Sequence, residues 1–136
     1  MAATLLLKTE PSKYSFDDLL RDGRAVWDGV ANAQALIVLR GAKVGDEALI
    51  YHSNEGKEIV GIAKVVRAAY PDPKLDDPKM VVVDIIPVKA LASPVTLVAI
   101  KAEPGLADLA LVRQSRLSCM KVSATHRKLL RKLGAR

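Results

Sequence analysis

The sequence predicts an α+β fold: a mixed β-barrel or half-barrel of about five to six strands, with short helices after the first strand and at the C-terminus. Apolar runs rich in β-branched residues occupy the middle of the chain, whereas capped helical patterns lie towards both ends. Strands and helices do not alternate regularly, which argues against a doubly wound parallel sheet. With 136 residues, half of them apolar, a single domain over residues 1–136 is expected.

The first elements are a strand and a short helix. Residues 4–9 form an apolar run that Pro11 ends, which suits a buried strand. Ser15 is a candidate N-cap because Asp18 follows three residues later, so residues 16–21 are predicted to be helical. Gly23 can then end this helix in a left-handed conformation.

Trp27 is the only tryptophan, and it lies in a segment, residues 26–32, that has no apolar periodicity. Asp28 and Gly29 follow it directly, and both favour turns. We therefore expect a loop between two helices that presents the indole ring to a planar ligand. Asn32 is predicted to cap the second helix, residues 33–40.

The rest of the chain is predicted to be mainly β-structure followed by helix. Strands at residues 47–53 and 59–69 form a hairpin around the turn at 54–56, and residues 80–88 form a third long strand. Short helical turns are expected at 96–101 and 106–109. A final strand at 115–120 precedes a helix at 124–133 that Ser123 caps.

Composition and charge indicate a cytosolic protein with an affinity for polyanions. The net charge is +6 and the pI about 9.6, and several cations lie in the last segment, including Arg127, Lys128 and Arg131. These contact phosphate or form a solvated helix face. The single cysteine excludes an internal disulfide, and no signal peptide or membrane span is recognisable. No membrane partner is expected.

The sequence offers no support for catalysis, a cofactor or a metal site. It lacks the glycine-rich dinucleotide fingerprint and the Walker motif. His52 and Ser53 are neighbours on a predicted strand, so their side chains point to opposite faces and the histidine cannot activate the hydroxyl. We expect a non-enzymatic protein without cofactor.

Eight motifs occur in the order that is typical of the EVE domain, and together they reach over most of residues 5–122. They are LLKTEP at residues 6–11, YSFDDL at 14–19, WDGV at 27–30, VGD at 44–46, YHSN at 51–54, GIA at 61–63, YPDP at 70–73 and SRLS at 115–118. The chain thus resembles this family. The resemblance implies a PUA-like fold related to the ASCH and YTH domains, and binding of modified bases, chiefly modified cytosine in DNA, or of a modification in RNA. Family members are often associated with restriction or RNA-modification proteins.

The resemblance also implies one cleft between the tryptophan loop, the end of the YHS strand and the SRLS segment. The predicted base-binding residues are Trp27, Val30, Asn32, Tyr51, His52, Ser53, Ser115, Leu117 and Ser118. Lys8, Glu10 and Arg116 are predicted for its polar rim, with Lys8 and Arg116 as phosphate contacts. Residues Thr4, Ala33 and Met80 stand where the family pattern has aromatic side chains, so an aromatic cage is incomplete.

Other interpretations remain open at this point. Trp27 is alternatively a structural anchor, Asn32 is a cap without ligand contact, and Arg116 pairs with Asp28 or Glu10. For the whole chain, the leading hypothesis is a monomeric reader of a modified base in DNA or RNA. The alternatives are a sensor of a small molecule or free nucleoside, and an enzyme that acts on a nucleobase.

Overall fold

One six-stranded sheet organises the protein. The computed structural model describes residues 2–136. The strands are β1 (Thr4–Thr9), β2 (Ala25–Trp27), β3 (Glu47–His52), β4 (Glu58–Pro71), β5 (Val81–Thr96) and β6 (Cys119–Val122), and they lie in the order β2-β5-β4-β3-β1-β6. The helices are α1 (Phe16–Asp22), α2 (Ala33–Arg40), α3 (Leu97–Ala102), α4 (Ala110–Arg113) and α5 (Ala124–Leu133), with a 3-10 turn at Pro104–Leu106. The predicted α+β class is confirmed.

The sheet mixes parallel and antiparallel pairs. β1 runs parallel to β3, with Lys8 opposite Tyr51 and Thr9 opposite His52, and β6 returns antiparallel along the other side of β1. β4 pairs with both β3 and β5, and its ladder with β5 is interrupted by several register shifts. Such irregularities bend long strands and increase their twist, which lets the sheet curve around its core.

Helices α1 and α2 both bury apolar side chains in the core. Phe16 and Leu19 of α1 are buried, as are Leu36 and Leu39 of α2. The Phe16 ring lies so close to Gly61 of β4 that a β-carbon there would stand 2.4 Å from the ring. Gly61 therefore gives α1 its close approach to the sheet.

The predicted helix caps are confirmed. The hydroxyl of Ser15 accepts a hydrogen bond from the Asp18 backbone N–H, and the carboxylate of Asp18 accepts one from the backbone N–H of Ser15. The side chains of Asn32 and Ser123 accept from the backbone N–H three residues on and so cap α2 and α5, and Gly23 ends α1 with a φ of 74°. These contacts are local, so the sequence alone specifies them.

Four predicted elements need correction. The helical turn expected at residues 106–109 is replaced by the 3-10 turn at Pro104–Leu106 and by α4, Ala110–Arg113. Trp27 ends strand β2, paired with Val83 of β5, and does not lie in a loop. β5 extends to Thr96 because β4 supplies backbone partners along its length. Residues 115–118 precede β6, and only residues 119–122 pair with β1.

The basic C-terminal segment is docked to the fold. Leu130 of α5 is fully buried. Arg127 is 7% exposed, and its Nε donates to Glu47 Oε1 at 2.5 Å. This guanidinium is therefore not available to a phosphate, whereas Lys128 and Arg131 remain exposed.

Candidate functional site

A cavity of about 530 Å³ opens beside Trp27 at the carboxyl ends of β1 and β2. We call it the Trp27 cavity. Its lining residues are Thr9, Lys13, Tyr14, Asp22, Arg24, Ala25, Val26, Trp27, Asp28 and Lys74. The volume lies within the range of about 300 to 1,000 Å³ that is typical of small-molecule pockets.

Trp27 forms part of the wall of this cavity and also belongs to the core. Only 7% of the residue is exposed, and the Tyr14 ring meets the indole edge to face, with centroids 6.3 Å apart and planes at 77°. The prediction that a loop presents an exposed indole ring is thus wrong, because the ring is largely buried. Strand pairing through Val83 fixes the backbone of Trp27, so the indole is held in one position.

Tyr14 and Asp22 form a fixed polar pair in the cavity. The Tyr14 hydroxyl donates to Asp22 Oδ2 at 2.9 Å, and Asp22 Oδ1 accepts from Arg21 Nε at 3.1 Å. Desolvation, then the hydrogen bond to Asp22 and its charge, raise the pKa of Tyr14 to about 12. Tyr14 is therefore a neutral phenol at physiological pH.

Arg24 is anchored at the cavity by a buried carboxylate. Its Nη2 donates to Asp84 Oδ2 at 2.7 Å, and the Tyr70 hydroxyl donates to the other oxygen of Asp84. Burial alone would raise the pKa of Asp84, but the hydrogen bonds from Tyr70 and Arg24 keep it below its ordinary value. The ionised Asp84 thus holds Arg24, whose side chain remains 56% exposed.

A second cavity of about 300 Å³, the Arg116 cavity, lies between the start of α2 and the segment before β6. Its lining residues are Asn32, Arg113, Gln114, Ser115, Arg116 and Leu117. Four of these were predicted as site residues. Within residues 2–136, no carboxylate forms an ion pair with Arg116, so the predicted pairing with Asp28 or Glu10 is not observed.

Lys8 joins β1 to the rim of the Arg116 cavity. Its Nζ donates to the Ser115 carbonyl at 2.6 Å and lies 5.8 Å from the centre of the Tyr51 ring. The backbone N–H of Lys8 donates to the Ser118 carbonyl at 2.9 Å. Desolvation lowers the pKa of Lys8.

The predicted site residues are thus divided between two cavities and do not form one cleft. Trp27 lines the first, and the second gathers Asn32, Ser115, Arg116 and Leu117. Lys8, which contacts Ser115 of the second cavity, directly precedes Thr9, which lines the first. Alternation along β1 sends these two side chains to different sides.

Besides Lys8, six predicted site residues lie outside these linings: Val30, Tyr51, His52, Ser53, Ser118 and Glu10. Val30 and Tyr51 are buried in the core, whereas Ser53 is half-buried just beyond β3 and its N–H donates to the Thr9 carbonyl. Glu10 forms an ion pair with Lys13 at 3.6 Å, so it contacts a residue of the Trp27 cavity without lining it.

His52 has a structural contact on the other side of β3. Its Nε2 accepts a hydrogen bond from the Phe16 backbone N–H at 3.0 Å, which satisfies one of the free N–H groups at the start of α1. Nε2 can accept only when it carries no proton, so the bond requires a neutral imidazole. Desolvation lowers the pKa of His52, against the smaller opposing effects of Glu58 and Asp17.

This contact makes stability depend on pH in a defined direction. Unfolded His52 titrates near 6.5 and the folded residue below it, so the unfolded chain binds more protons between the two values. Stability should therefore fall as the pH drops below 6.5, by at most about 1.4 kcal/mol per pH unit from this residue, and level off below the folded pKa. Urea unfolding of wild type and His52→Gln between pH 5 and 8 measures the difference.

The comparison variant is His126→Gln, since the chain has only two histidines and His126 Nε2 contacts Asp108 Oδ1, at 2.8 Å, and not Phe16. It should retain the slope that His52→Gln loses. An unchanged slope in His52→Gln would show that the hydrogen bond to Phe16 does not stabilise α1.

Comparison with known proteins identifies the family of this chain. The sequence profile of the EVE domain family matches residues 3–133. This chain belongs to the EVE domain family. The resemblance in its eight motifs is thereby confirmed.

Relatives of this EVE domain include a human protein and several bacterial ones. Human thymocyte nuclear protein 1 is 34% identical over 123 residues, which cover 71% of this chain and 55% of that protein. The chain spans about half the length of the curated relatives it matches first. The NMR structure of Rpa0253 from Rhodopseudomonas palustris is 50% identical, with a TM-score of 0.92 over 98% of this chain and 93% of that one.

One similar structure was solved with a ligand. Human THYN1 protein in complex with 5-methylcytosine-containing DNA has a TM-score of 0.89 at 30% identity, over 97% of each chain. A more distant likeness, at 10% identity and a TM-score of 0.59, is to an ASCH protein from Zymomonas mobilis, and it concerns the fold alone. The PUA-like fold predicted for this EVE domain is confirmed.

Several residues at the cavities of this EVE domain were not predicted. Arg24 and Lys74 line the Trp27 cavity, and Arg113 and Gln114 line the second one. Arg113 and Arg116 are only three residues apart, and this spacing is the one signal in the sequence that both could line the same cavity. Arg24 and Lys74 lie 50 residues apart and meet only through the pairing of β2 with β5 and the β4–β5 loop.

Within residues 2–136 of this EVE domain, no group of three or more potential metal ligands is found. No helix in the same range is long and apolar enough to cross a membrane. Cys119 is fully buried on β6, and desolvation raises the pKa of its thiol to about 12. This thiol is therefore protonated and shielded from solvent.

Proposed function

We propose that this EVE domain binds nucleic acid and reads a modified base, a modified cytosine in DNA, that swings out of its strand into the Trp27 cavity. The observation that carries the proposal is the structural match to human THYN1 protein, which was solved with 5-methylcytosine-containing DNA. The match covers 97% of both chains. The proposed role is binding without chemistry.

The Trp27 cavity has the properties that an extruded base requires. Such a base needs apolar or aromatic contact and hydrogen-bond partners for its edge. Trp27 and Tyr14 supply aromatic surface, and Tyr14, Asp28 and Thr9 supply polar groups. Its volume of about 530 Å³ leaves room for a base and its sugar.

Cations surround the cavity where the backbone phosphates of the bound strand would lie. Lys13 and Lys74 are exposed, with side-chain exposures of 80% and 78%, and Arg24 is held in place by Asp84. On the other side of β1, Lys8 and Arg116 edge the second cavity. We assign the strand to a path across both cavities, with Lys8 and Arg116 as contacts to a neighbouring phosphate.

The test is the binding of short labelled oligonucleotides that carry 5-methylcytosine or cytosine, in DNA and in RNA, followed by fluorescence anisotropy and by Trp27 emission. Because Trp27 is the only tryptophan, its emission reports on one site. We expect binding that weakens with salt, a preference for the modified DNA, and a change in Trp27 emission.

A double variant, Lys13→Gln with Lys74→Gln, tests the cationic rim. Each lost phosphate contact should reduce the slope of log affinity against log salt by about 0.7 on single strands, whatever the base. Lys101→Gln with Lys121→Gln removes the same charge from exposed sites outside both cavities and should leave the slope unchanged. Equal affinity for free 5-methyl-2′-deoxycytidine and for the oligonucleotides would instead support a nucleoside sensor.

A further inference from the structure

The carboxylate of Asp28 is an unused hydrogen-bond acceptor in the Trp27 cavity. Its side chain is 48% exposed, and its nearest ion-pair contact is Lys74 Nζ, at 3.7 Å from Oδ2. That distance is too long for a hydrogen bond. Among the described residues, none donates a hydrogen bond to either oxygen of Asp28.

The other carboxylate of the cavity, Asp22, is already occupied. One of its oxygens accepts from Tyr14 and the other from Arg21. Asp22 therefore already accepts two hydrogen bonds from the protein, whereas Asp28 accepts none from residues 2–136, so Asp28 is the acceptor that a base would meet. The two carboxylates have the same chemistry, but only Asp28 has no hydrogen-bond donor from the described part of the protein.

The position of Asp28 is fixed by its neighbours. Trp27, directly before it, pairs with Val83, and Gly29, directly after it, has a φ of 78°. The backbone of Asp28 is thus fixed directly after the paired Trp27, and both residues line the Trp27 cavity. A base that contacts Trp27 would bring its polar edge towards Asp28.

We propose that Asp28 determines base specificity by accepting a hydrogen bond from the exocyclic amino group of the inserted pyrimidine. This inference rests on the proposed function and adds the residue that selects between pyrimidine bases. Carboxylates accept from the N4 amino group of cytosine. Thymine carries the same 5-methyl group as 5-methylcytosine but has an oxygen at position 4. This oxygen and the Asp28 carboxylate are both acceptors, so no hydrogen bond could form between them. Contact with the methyl group cannot separate these two bases, whereas Asp28 can.

The ion pair with Lys74 offers a different explanation for the presence of Asp28, and it makes a different prediction. If Asp28 served only to hold Lys74, then Lys74→Gln and Asp28→Asn would change binding in the same way. If Asp28 reads the base, Lys74→Gln weakens binding to all oligonucleotides alike and leaves the selectivity unchanged.

The experiment compares single-stranded DNA oligonucleotides of one sequence with 5-methylcytosine, cytosine, thymine or uracil at the central position, by competition at equilibrium. The wild type should prefer 5-methylcytosine to thymine by about tenfold or more. An asparagine both donates and accepts, so Asp28→Asn should bring this ratio close to one, largely through tighter binding of thymine. Thermal unfolding of the variants shows that they are folded.

Asp17→Asn is the control for charge, because it neutralises an exposed carboxylate that lies outside both cavities. It should keep the wild-type ratio of 5-methylcytosine to thymine. A ratio in Asp28→Asn equal to that of the wild type overturns this inference alone, since the oligonucleotides still bind. Absence of binding to all four oligonucleotides by the wild type overturns the proposed function and the inference with it.

Discussion

Replacing Arg127 with methionine is expected to lower the free energy of unfolding by about 3 kcal/mol, because it leaves a carboxylate without its buried partner. Arg127 is 7% exposed, and its Nε and Nη2 both contact Glu47, at 2.5 and 3.3 Å. The side chain of Glu47 is 27% exposed, so water partly compensates, which places the effect at the low end of the usual range for buried pairs.

The effect is large because Arg127 connects three parts of the chain. It lies on α5, Glu47 begins β3, and Arg127 Nη1 donates to the Ala135 carbonyl at 2.6 Å. The Thr4 hydroxyl also donates to Glu47, which adds the start of β1. Loss of the guanidinium should therefore loosen α5 and the C-terminus together.

Urea unfolding of three variants measures this coupling. Arg127→Met with Glu47→Met should recover most of the loss, since no charge is left buried, and Lys128→Met, an exposed neighbour on α5, should cost little. If Arg127→Met unfolds at the wild-type urea concentration, the pair does not hold α5.

The ion pair of Arg127 and Glu47 also makes the stability of the protein fall in acid. Burial of Glu47 alone would have the opposite effect. Desolvation would raise the pKa of Glu47, but the hydrogen bond and charge of Arg127 hold it below the ordinary 4.5. A depressed pKa contributes stability above about pH 4.5 that is lost as the pH falls through the folded value. Arg127→Met should therefore lose less of its remaining stability to acid than the wild type.

The sequence predicted local structure well because its signals act over a few residues. Ser15, Asn32 and Ser123 cap the helices they were expected to cap, since each accepts from a backbone N–H three residues on. Strand β2 was missed because it has only three residues, too few to show the alternation of apolar and polar side chains. Its partners in β5 also lie nearly 60 residues away in the sequence.

The candidate site was predicted in its residue types more than in its geometry. The sequence indicated Trp27, Asn32 and the SRLS segment, and all of these border a cavity except Ser118. Their division between two cavities depends on the side of β1 to which Lys8 and Thr9 point. The anchoring of Arg24 by Asp84 depends on strand pairing, which no local pattern in the sequence specifies.

Truncating Trp27 to alanine is expected to cost about 3 to 5 kcal/mol of stability, because the ring is a buried part of the core as well as a cavity wall. It should also weaken oligonucleotide binding by about 1 to 3 kcal/mol, the usual value of an aromatic contact to a base. A conservative variant separates the two effects. Trp27→Phe keeps an aromatic side chain against Tyr14, so it should remain folded while it presents less surface to the base.

Phe16→Leu is the control for this experiment, since Phe16 is buried against Gly61 and lies outside both cavities. It should lower stability and leave the affinity of the folded protein for 5-methylcytosine DNA unchanged, measured by anisotropy with a labelled oligonucleotide. If Trp27→Phe binds as tightly as the wild type, and Phe16→Leu does too, the indole acts only as a core residue. The recognition of the base would then rest on Tyr14 and Asp28, the other groups that the cavity offers to its edge.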